Sequence, residues 1–293
     1  MRIALVSDIH ANLQAWNAVL LDIRSLKADM IVCLGDVVGY GPSPAETLAA
    51  VYGQVNHFVL GNHDAALIGK LDPNLFNPSA RAVLEWSRTR VGTIAPRFLD
   101  RVPLTLSAGL FRCAHGDLSA PEQFNYVIDP ADALPSWKAV PEQLLFVGHT
   151  HQPGIFIIGQ SGNPHRIDPA DFELETGKRY LVNVGSVGQP RDCDARASYC
   201  LLDTSQRSVF WRRIPFDIDA YRSALKSAGL DERASYFLHH DPRATVPPLR
   251  ELLNFKPPTD PRDGAQGVAP MAELQLTRHR LTKWRRTATI LLL

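Results

Sequence analysis

The sequence is poor in cysteine. Only 4 of its 293 residues are cysteines, and no two of them are spaced as CxxC. A chain of this length would need more cysteines to build a disulfide framework. Cys33, Cys113 and Cys200 lie inside apolar runs typical of strands, where a thiol acts as a small buried hydrophobe. The pattern excludes a disulfide scaffold and leaves no CxxC metal or redox motif.

Long apolar runs and an excess of charge are also missing. No run approaches the roughly 20 apolar residues of a membrane span, and the N-terminus MRIALVSDIH lacks a signal-peptide pattern. The formal net charge of +1 gives no reason to expect nucleic-acid binding. We therefore expect a reduced, cytoplasmic protein without a transmembrane segment.

Several nucleotide-binding and hydrolase motifs are absent as well. The sequence contains no GxxxxGK[ST] and no GxGxxG that opens a helix. The GSVG around Ser186 is not the GxSxG of a hydrolase elbow. The chemistry of this chain must therefore come from other residues.

Short apolar runs alternate with helical patterns over the first sixty residues. RIALVS, MIVCLG and HFVLG have the length and composition of buried strands. Between them, NLQAWNAVLLDIRSL and SPAETLAAVY repeat apolar residues with a helical period, and Asn12 is placed to cap the first helix. This order predicts parallel strands joined by right-handed crossovers.

A second set of apolar runs follows a helical insert over about 65–103 and indicates mostly antiparallel strands. The runs are GLFRCA, QLLFVG, GIFIIG, YLVNVG, SYCLLD and SVFWRRI. The whole pattern predicts an α/β (α+β) four-layer sandwich, in which two mixed β-sheets pack face to face with helices outside. We assign this domain to residues 1–240.

The composition changes after this domain. A Pro-rich linker is expected over 241–270 and a basic, apolar C-terminal tail over 271–293. Two interpretations of the tail stay open. It docks a partner or a membrane surface, or it packs on the domain or frays from it.

Five of the apolar runs end in residues that can bind metals. These residues are Asp8, His10, Asp36, Asn62, His115, His149 and His151. Each has an ordinary explanation, since Asp and Asn are common in turns and a lone histidine is usually structural. Because the carboxyl ends of strands converge on one crevice, five such coincidences predict a metal site with nitrogen and oxygen ligands. Seven ligands are too many for one ion with an open position, so two ions bridged by Asp36 are expected.

The two histidines of GHTH are one residue apart, and in an extended segment both would point the same way. The ligand count favours His149 and His151 on different ions of a bridged pair. Thr150 would point the other way, and its hydroxyl is no candidate nucleophile.

The order of these motifs resembles the calcineurin-like metallophosphoesterase superfamily. DxH, GDxxGYG, GNHD, a lone His and GHTH follow one another within roughly residues 1–240. DIHANLQAW, GDVVGYGPSP, FNPSARAVLEW and VGSVGQPRDCDARASY are similar to a prokaryotic cytoplasmic branch described as phosphodiesterases, some of which hydrolyse dinucleoside polyphosphates. The resemblance implies a two-metal phosphohydrolase with its metal site at the carboxyl ends of strands.

The resemblance also implies roles for the individual residues. One metal would be bound by Asp8, His10, Asp36 and His151, and the second by Asp36, Asn62, His115 and His149. His63 would protonate the leaving oxygen or stabilise its charge, and Asp64 would orient the His63 imidazole. Hydroxide held by the metals would attack phosphorus. The ligands suit Mn²⁺, Fe or Zn²⁺, and we take Mn²⁺ as the first expectation.

Residues outside the ligand set are candidates for substrate binding. Arg191 either holds a phosphate with its guanidinium or forms a surface pair with Asp192 or Asp194. Tyr40 and the Phe76–Trp86 insert either form a pocket wall for a base or belong to the core. The chain departs from the family branch at Val184, where proline is common, and at Asp117, which places a carboxylate near the approach of a polyanionic substrate.

The preferred interpretation is a phosphohydrolase that cleaves a phosphodiester or nucleotide-type phosphoester. The enzymatic alternative is a serine/threonine protein phosphatase or another phosphomonoesterase. A third interpretation is a protein-binding scaffold that has lost catalysis. The presence of competent residues at all seven ligand positions and at His63 argues against the scaffold.

Overall fold

The computed structural model describes residues 1–230 of the chain. Its strands are β1 (Arg2–Val6), β2 (Met30–Cys33), β3 (His57–Phe58), β4 (Thr105–Ser107), β5 (Phe111–Ala114), β6 (Leu144–Val147), β7 (Gly154–Ile158), β8 (His165–Ile167), β9 (Phe172–Glu173), β10 (Arg179–Asn183), β11 (Ala197–Asp203) and β12 (Ser208–Ile214). Its α-helices are α1 (Leu13–Ser25), α2 (Pro44–Gln54), α3 (Asn62–Leu67), α4 (Pro78–Arg88), α5 (Ile94–Leu99), α6 (Leu134–Ala139) and α7 (Ile218–Ser227). The predicted linker and tail, over 241–270 and 271–293, lie outside the described residues.

The strands form two mixed six-stranded sheets. The first has the order β3-β2-β1-β11-β12-β9 and the second the order β4-β5-β6-β10-β7-β8. Strands β1, β2 and β3 are parallel, as the alternation of strands and helices predicts. In the second half most pairs are antiparallel, but β5, β6 and β10 are parallel to one another. The predicted sandwich of two mixed sheets is thus confirmed.

Alternate residues of β1 face opposite sides of the first sheet, which explains the layered core. Ile3 and Leu5 pack between the two sheets, together with Phe146 of β6. Ala4 and Val6 point the other way and pack under α1. On the outer face of the second sheet, α6 packs against the apolar side chains of β6 and β10. Helices therefore cover the outer face of each sheet.

Helices α1 and α2 begin and end close to the predicted positions. The Asn12 side chain accepts a hydrogen bond from the backbone N–H of Ala15 at 2.9 Å, which caps α1 as predicted. The region assigned to the insert holds the end of α3, then α4 and α5 with a short 3₁₀ turn. Within residues 1–230, no helix has the length and apolar character needed to cross a bilayer.

The short strands β4, β8 and β9 are not predicted by the sequence pattern. Strand β8 is exposed along its whole length, and β9 has only two residues. Neither contains the apolar alternation that identifies a half-buried strand. These strands complete the sheet edges and lie on elements that carry none of the candidate ligands.

Candidate metal centre

The seven predicted ligands meet in one buried cluster at the ends of five strands. Asp8 and His10 follow β1, Asp36 follows β2, and Asn62 begins α3 just after β3. The second sheet contributes the other three ligands, from the ends of β5 and β6. Donor atoms come within 4.8 Å of one another in three groups, Asp8–His10–His151, His10–Asp36–His63 and Asp36–His115–His149.

The backbone at most of these ligands is left-handed. The φ angles are 53° at Asp8, 48° at His10, 55° at Asp36, 68° at His149 and 58° at His151. Residues other than glycine rarely adopt positive φ, and such strain concentrates at functional sites. The prediction of an extended segment through GHTH is therefore wrong, because the chain turns sharply after β6. Both histidines still face the cluster.

Two glycines allow the strand ends to approach one another. A Cβ atom at Gly61 would overlap the Oδ1 atom and the backbone nitrogen of Asp36. A Cβ atom at Gly148 would overlap the Ser7 hydroxyl and lie 2.5 Å from Oδ2 of Asp8. At both positions glycine is needed for more than turn formation, because any side chain there would displace a carboxylate of the cluster.

Backbone carbonyl groups fix the tautomer of three histidines. Nδ1 lies 2.9 Å from the Val38 carbonyl in His10, and 2.6 Å from the Gln189 carbonyl in His151. In His115 the same nitrogen lies 2.8 Å from the carbonyl of Leu34. Because a carbonyl only accepts, each Nδ1 must donate a proton, so in the neutral ring each Nε2 is a bare lone pair. These lone pairs face the centre.

The bare nitrogens lie against one another and against oxygen atoms. Nε2 of His10 is 3.0 Å from Nε2 of His151. Nε2 of His115 is 3.0 Å from Nδ1 of His149 and 3.1 Å from the Asn62 amide oxygen. Lone pairs that face each other at these distances repel unless a proton or a metal cation lies between them.

Each carboxylate of the cluster uses one oxygen for the backbone and directs the other to the centre. Oδ2 of Asp8 accepts from the His149 N–H at 3.0 Å, while its buried Oδ1 has no hydrogen-bond partner in the described part of the chain. Oδ1 of Asp36 accepts from the His63 N–H at 2.9 Å. Its Oδ2 lies 3.3 Å from Nε2 of His115 and 3.7 Å from Nε2 of His10. An orphaned carboxylate oxygen among bare imidazoles is a donor set that fits divalent metal ions.

The electrostatics of the cluster agree with this donor set. Burial opposes ionisation of Asp8, but the imidazoles of His151 and His115 lower its pKa below the ordinary value. Burial lowers the pKa of His10, which favours the neutral imidazole that metals require. Burial also disfavours a charged His115, but Asp36 and Asp8 outweigh it and raise the pKa of His115 to about 9.

The structure gives Asp64 a different partner from the one predicted. Its carboxylate accepts hydrogen bonds from the backbone N–H groups of Val37, Val38 and Gly61 at 3.1, 3.3 and 3.4 Å. Nδ1 of His63 is buried and has no hydrogen-bond partner among the described residues. The prediction that Asp64 orients the His63 imidazole is therefore wrong. Asp64 holds the loop after β2 against the start of α3.

His63 is held instead by neighbouring rings. Its ring centroid lies 4.9 Å from that of His10, 4.8 Å from Tyr40 and 4.7 Å from Phe76. Burial lowers the pKa of its imidazole to about 4. The side chain also lines the cleft described next, so it can reach a molecule bound over the cluster.

A cleft of about 790 Å³ opens over the cluster. Its lining includes Asn62, His63 and His149 from the cluster, and Tyr40, Phe76, Trp86, Phe124, Tyr126, Gln189 and Arg191 around it. Phe76 and Trp86 of the insert thus line the cleft, and Phe76 also packs against the buried core. No aspartate or glutamate belongs to the described lining, and Arg191 is its only arginine or lysine.

Arg191 is buried and held next to the cluster. Its guanidinium donates to the Gln189 side chain at 2.7 Å and lies 5.5 Å from the Tyr40 ring centroid. The carboxylates considered as surface partners form other ion pairs, Asp192 with Arg213 and Asp194 with Arg196. The Arg191 guanidinium is thus held at the lining of the cleft by Gln189 and Tyr40.

Asp117 does not face the cleft. Its Oδ1 accepts from the backbone N–H of Ser119 at 2.6 Å and of Ala120 at 3.1 Å, and it also accepts from the Ser119 hydroxyl. The side chain thus caps a local turn. The expectation of a carboxylate in the path of a polyanionic substrate is wrong, because the turn keeps this group on its own loop.

Two contributors to the site are missing from the predicted set. Gln189 accepts from His151 through its backbone and from Arg191 through its side chain. Its position in GQPRD, two residues before Arg191, was an available signal. Tyr126 stacks on His149, but it lies in a loop without a pattern that would identify it.

A sandwich of two mixed sheets, with carboxylates and imidazoles clustered at its strand ends, defines the class of metal-dependent hydrolases. Residues 1–207 match the calcineurin-like phosphoesterase superfamily domain. An uncharacterised protein of Methanocaldococcus jannaschii is 35% identical over an alignment of 231 residues, and the match covers 77% of this chain and 92% of that protein. The chain therefore belongs to the calcineurin-like phosphoesterase superfamily.

Solved structures agree with this family. A metallophosphoesterase from Sphaerobacter thermophilus is 36% identical, with a TM-score of 0.71, and the match covers 81% of this chain and 98% of that chain. A hypothetical protein from Pyrococcus horikoshii OT3 has the same fold, with 20% identity, a TM-score of 0.65 and coverage of 83% and 99%. The protein is thus a metal-dependent phosphoesterase, a hydrolase of phosphoric esters.

Proposed function

We propose that the cluster binds two divalent ions and hydrolyses a phosphodiester or nucleotide-type phosphoester. The observation that carries the proposal is the position of Asp36, which belongs to two of the three ligand groups. Its Oδ2 lies within 3.7 Å of a ring nitrogen on each side, which suits an oxygen shared by two ions. When bound, such a pair stabilises charge on phosphoryl oxygens and activates a water molecule.

The ligands divide between the two ions as the family pattern implies. One ion takes Asp8, His10, Asp36 and His151, and the other takes Asp36, Asn62, His115 and His149. The separation of His151 and His149 into different groups supports this division. Mn²⁺ is the proposed metal, with Fe and Zn²⁺ as alternatives, because oxygen and imidazole ligands suit all three.

His63 has the proposed role of protonating the leaving oxygen or stabilising its charge. Its ring lies beside His10 and lines the cleft, so it borders both the cluster and the space for substrate. Asp64 acts through the backbone of Val37 and Val38, and thereby positions the loop that carries Asp36. We assign it as a positioning residue.

The cleft supports a small anionic substrate with a flat apolar group. Arg191 supplies positive charge beside the cluster, and the described lining contains no carboxylate that would repel a phosphate. Tyr40 lies under Arg191, and Phe76 and Trp86 offer ring surfaces for a base or aryl group. These walls favour a nucleotide-type ester over a phosphoprotein. The cytoplasmic location predicted from the sequence belongs to the same proposal.

The test is a panel of phosphoesters assayed with the purified protein loaded with Mn²⁺, Fe or Zn²⁺. The panel compares phosphomonoesters, phosphodiesters, dinucleoside polyphosphates and phosphopeptides. We expect the highest kcat/KM for a diester or nucleotide-type ester, and a loss of turnover in Asp36→Asn. A preference for phosphopeptides would support the phosphatase alternative. A metal-loaded protein that cleaves no member of the panel would refute the proposal.

A further inference from the structure

Four of the candidate metal ligands are imidazoles, and one of these four is held differently from the rest. Backbone carbonyls accept from Nδ1 of His10, His115 and His151. His149 instead turns its Nδ1 to the centre, 3.0 Å from Nε2 of His115. In the described part of the chain, its Nε2 makes no hydrogen bond that would fix the ring plane.

An aromatic ring, rather than a backbone carbonyl, restrains the His149 imidazole. The ring of Tyr126 is stacked on the His149 imidazole, with centroids 3.9 Å apart and an angle of 3° between the planes. Both side chains line the cleft. Face-to-face contact over the whole imidazole restricts its rotation, as a hydrogen bond does for the other three rings.

The loop that carries Tyr126 is tied to the loop of a neighbouring ligand. The Asp117 backbone N–H donates to the carbonyl oxygen of Asn125 at 3.1 Å. A Cβ atom at Gly116 would lie 2.6 Å from the same oxygen, so glycine allows the two segments to touch. Residue 125 is therefore fixed against the loop after His115, and Tyr126 follows it directly.

We propose that Tyr126 is a positioning residue that holds the His149 imidazole plane by ring stacking. The stack keeps Nδ1 directed at the centre. Because that nitrogen must be bare to bind a metal, the proton of the neutral ring lies on Nε2, on the side open to the cleft. The inference rests on the proposed two-metal function.

The test is a metal titration of the full chain and three variants, followed by calorimetry and by electron paramagnetic resonance of bound Mn²⁺. Tyr126→Leu removes the flat ring, and we expect one of the two ions to bind about 10–100-fold more weakly, as for loss of other outer contacts of metal ligands. The signal of the coupled Mn²⁺ pair should weaken at equal metal load. Tyr126→Phe keeps the stack and should restore both readouts.

The matched control is Trp86→Leu, which removes another aromatic ring of the same cleft that is stacked on Arg90 rather than on a ligand. It should bind both ions as the wild type does. Tyr126→Met, which has a longer and more flexible side chain without a flat ring, replaces the leucine variant if that chain fails to fold.

Three results would overturn the inference. The first is wild-type affinity for both ions in Tyr126→Leu or Tyr126→Met. The second is a metal affinity of Tyr126→Phe as low as that of the leucine variant. The third is an equal loss of metal affinity in Trp86→Leu. A wild-type protein that binds fewer than two ions would refute the proposed function itself, and the inference with it. The wild-type titration therefore separates the two failures.

Discussion

At the scale of the single residue, five of the seven candidate ligands are held by a backbone contact that leaves another donor atom facing the centre. Asp8 and Asp36 each accept a backbone N–H with one oxygen and direct the other inward. His10 donates from Nδ1 to a carbonyl and presents a bare Nε2. Little reorganisation is then needed when metals bind, because the donor atoms already converge.

His63 is the residue whose removal should separate chemistry from metal binding. We expect His63→Ala to retain both metals while kcat falls about 10²–10⁴-fold, the usual contribution of a side chain positioned to donate a proton or a hydrogen bond to the leaving oxygen. Metal content by elemental analysis and steady-state kinetics measure the two effects. His57→Ala is the matched control, since His57 lies on β3 and belongs to none of the ligand groups. Unchanged turnover in His63→Ala would contradict the assigned role.

Metal binding should release a proton from His115. Asp36 and Asp8 raise the pKa of His115 to about 9 despite its burial, so the ring is protonated at pH 7.5 in the metal-free protein. A cation can bind Nε2 only after this proton leaves. Apparent metal affinity should therefore rise about tenfold per pH unit and level off above about pH 9.

The release can be measured by calorimetry in buffers of different ionisation enthalpy. At pH 7.5 the wild type should release about one proton more than His115→Asn, whose amide cannot be protonated in this range. Asparagine keeps a donor for the Leu34 carbonyl that His115 contacts. Equal proton release by the two proteins would show that His115 is already neutral.

At the scale of the element, the candidate centre depends more on the junctions that follow the strands than on the strands themselves. Strand β3 has only two residues, yet the junction that follows it brings Gly61 against Asp36. Left-handed residues after β1, β2 and β6 turn the chain within one or two positions of each strand end. These turns let five strand ends share one small volume.

Gly61→Ala tests the close approach at the junction between β3 and α3. The new Cβ would overlap the carboxylate and the backbone nitrogen of Asp36. We expect a loss of about 1–3 kcal/mol in the free energy of unfolding, typical of overpacking, together with weaker metal binding. Denaturant unfolding and metal titration measure both quantities.

Gly53→Ala provides the control for this substitution. Gly53 lies in α2, where a Cβ atom would meet nothing within 4 Å, so alanine should stabilise the helix by up to about 1 kcal/mol. Metal affinity should not change in this variant. If Gly61→Ala matched Gly53→Ala in both measurements, the close approach would have no energetic importance.

The sequence predicts those features that depend on local periodicity and on strand order. The parallel β1–β3 core follows from alternating apolar runs, and the clustering of Asp8, Asp36 and His115 follows from the convergence of strand ends. The left-handed turn at GHTH does not follow, because short loops take their conformation from distant contacts. The contacts of Asp64 and Tyr126 likewise depend on loop geometry, which the apolar periodicity of the sequence does not predict.

At the scale of the whole molecule, the candidate centre joins the two sheets. The first sheet contributes Asp8, His10, Asp36 and Asn62, and the second contributes His115, His149 and His151. Under the proposed division, each ion takes ligands from both sheets. The apolar core between the sheets holds their faces together. The bound ions would link the two sheets at the edge where the ligands lie.

Metal removal should therefore lower the stability of the whole domain. A ligand that binds only the folded state stabilises it by about 2.7 kcal/mol at a concentration of one hundred times its Kd. For a domain of this size, that corresponds to a Tm shift of about 5–10 °C for each ion. Thermal unfolding with and without a chelator, alongside elemental analysis of the starting protein, measures the shift.

Asp8→Asn is the control for the chelation experiment. Asparagine tolerates the left-handed backbone at this position and keeps an oxygen for the His149 N–H, but it loses the negative charge directed at the centre. Because Asp8→Asn should bind one of the two ions more weakly, the chelator should lower the Tm of this variant by only about half as much as in the wild type. If a wild-type protein shown to contain two ions unfolded at the same temperature with and without chelator, the ions would not link the sheets.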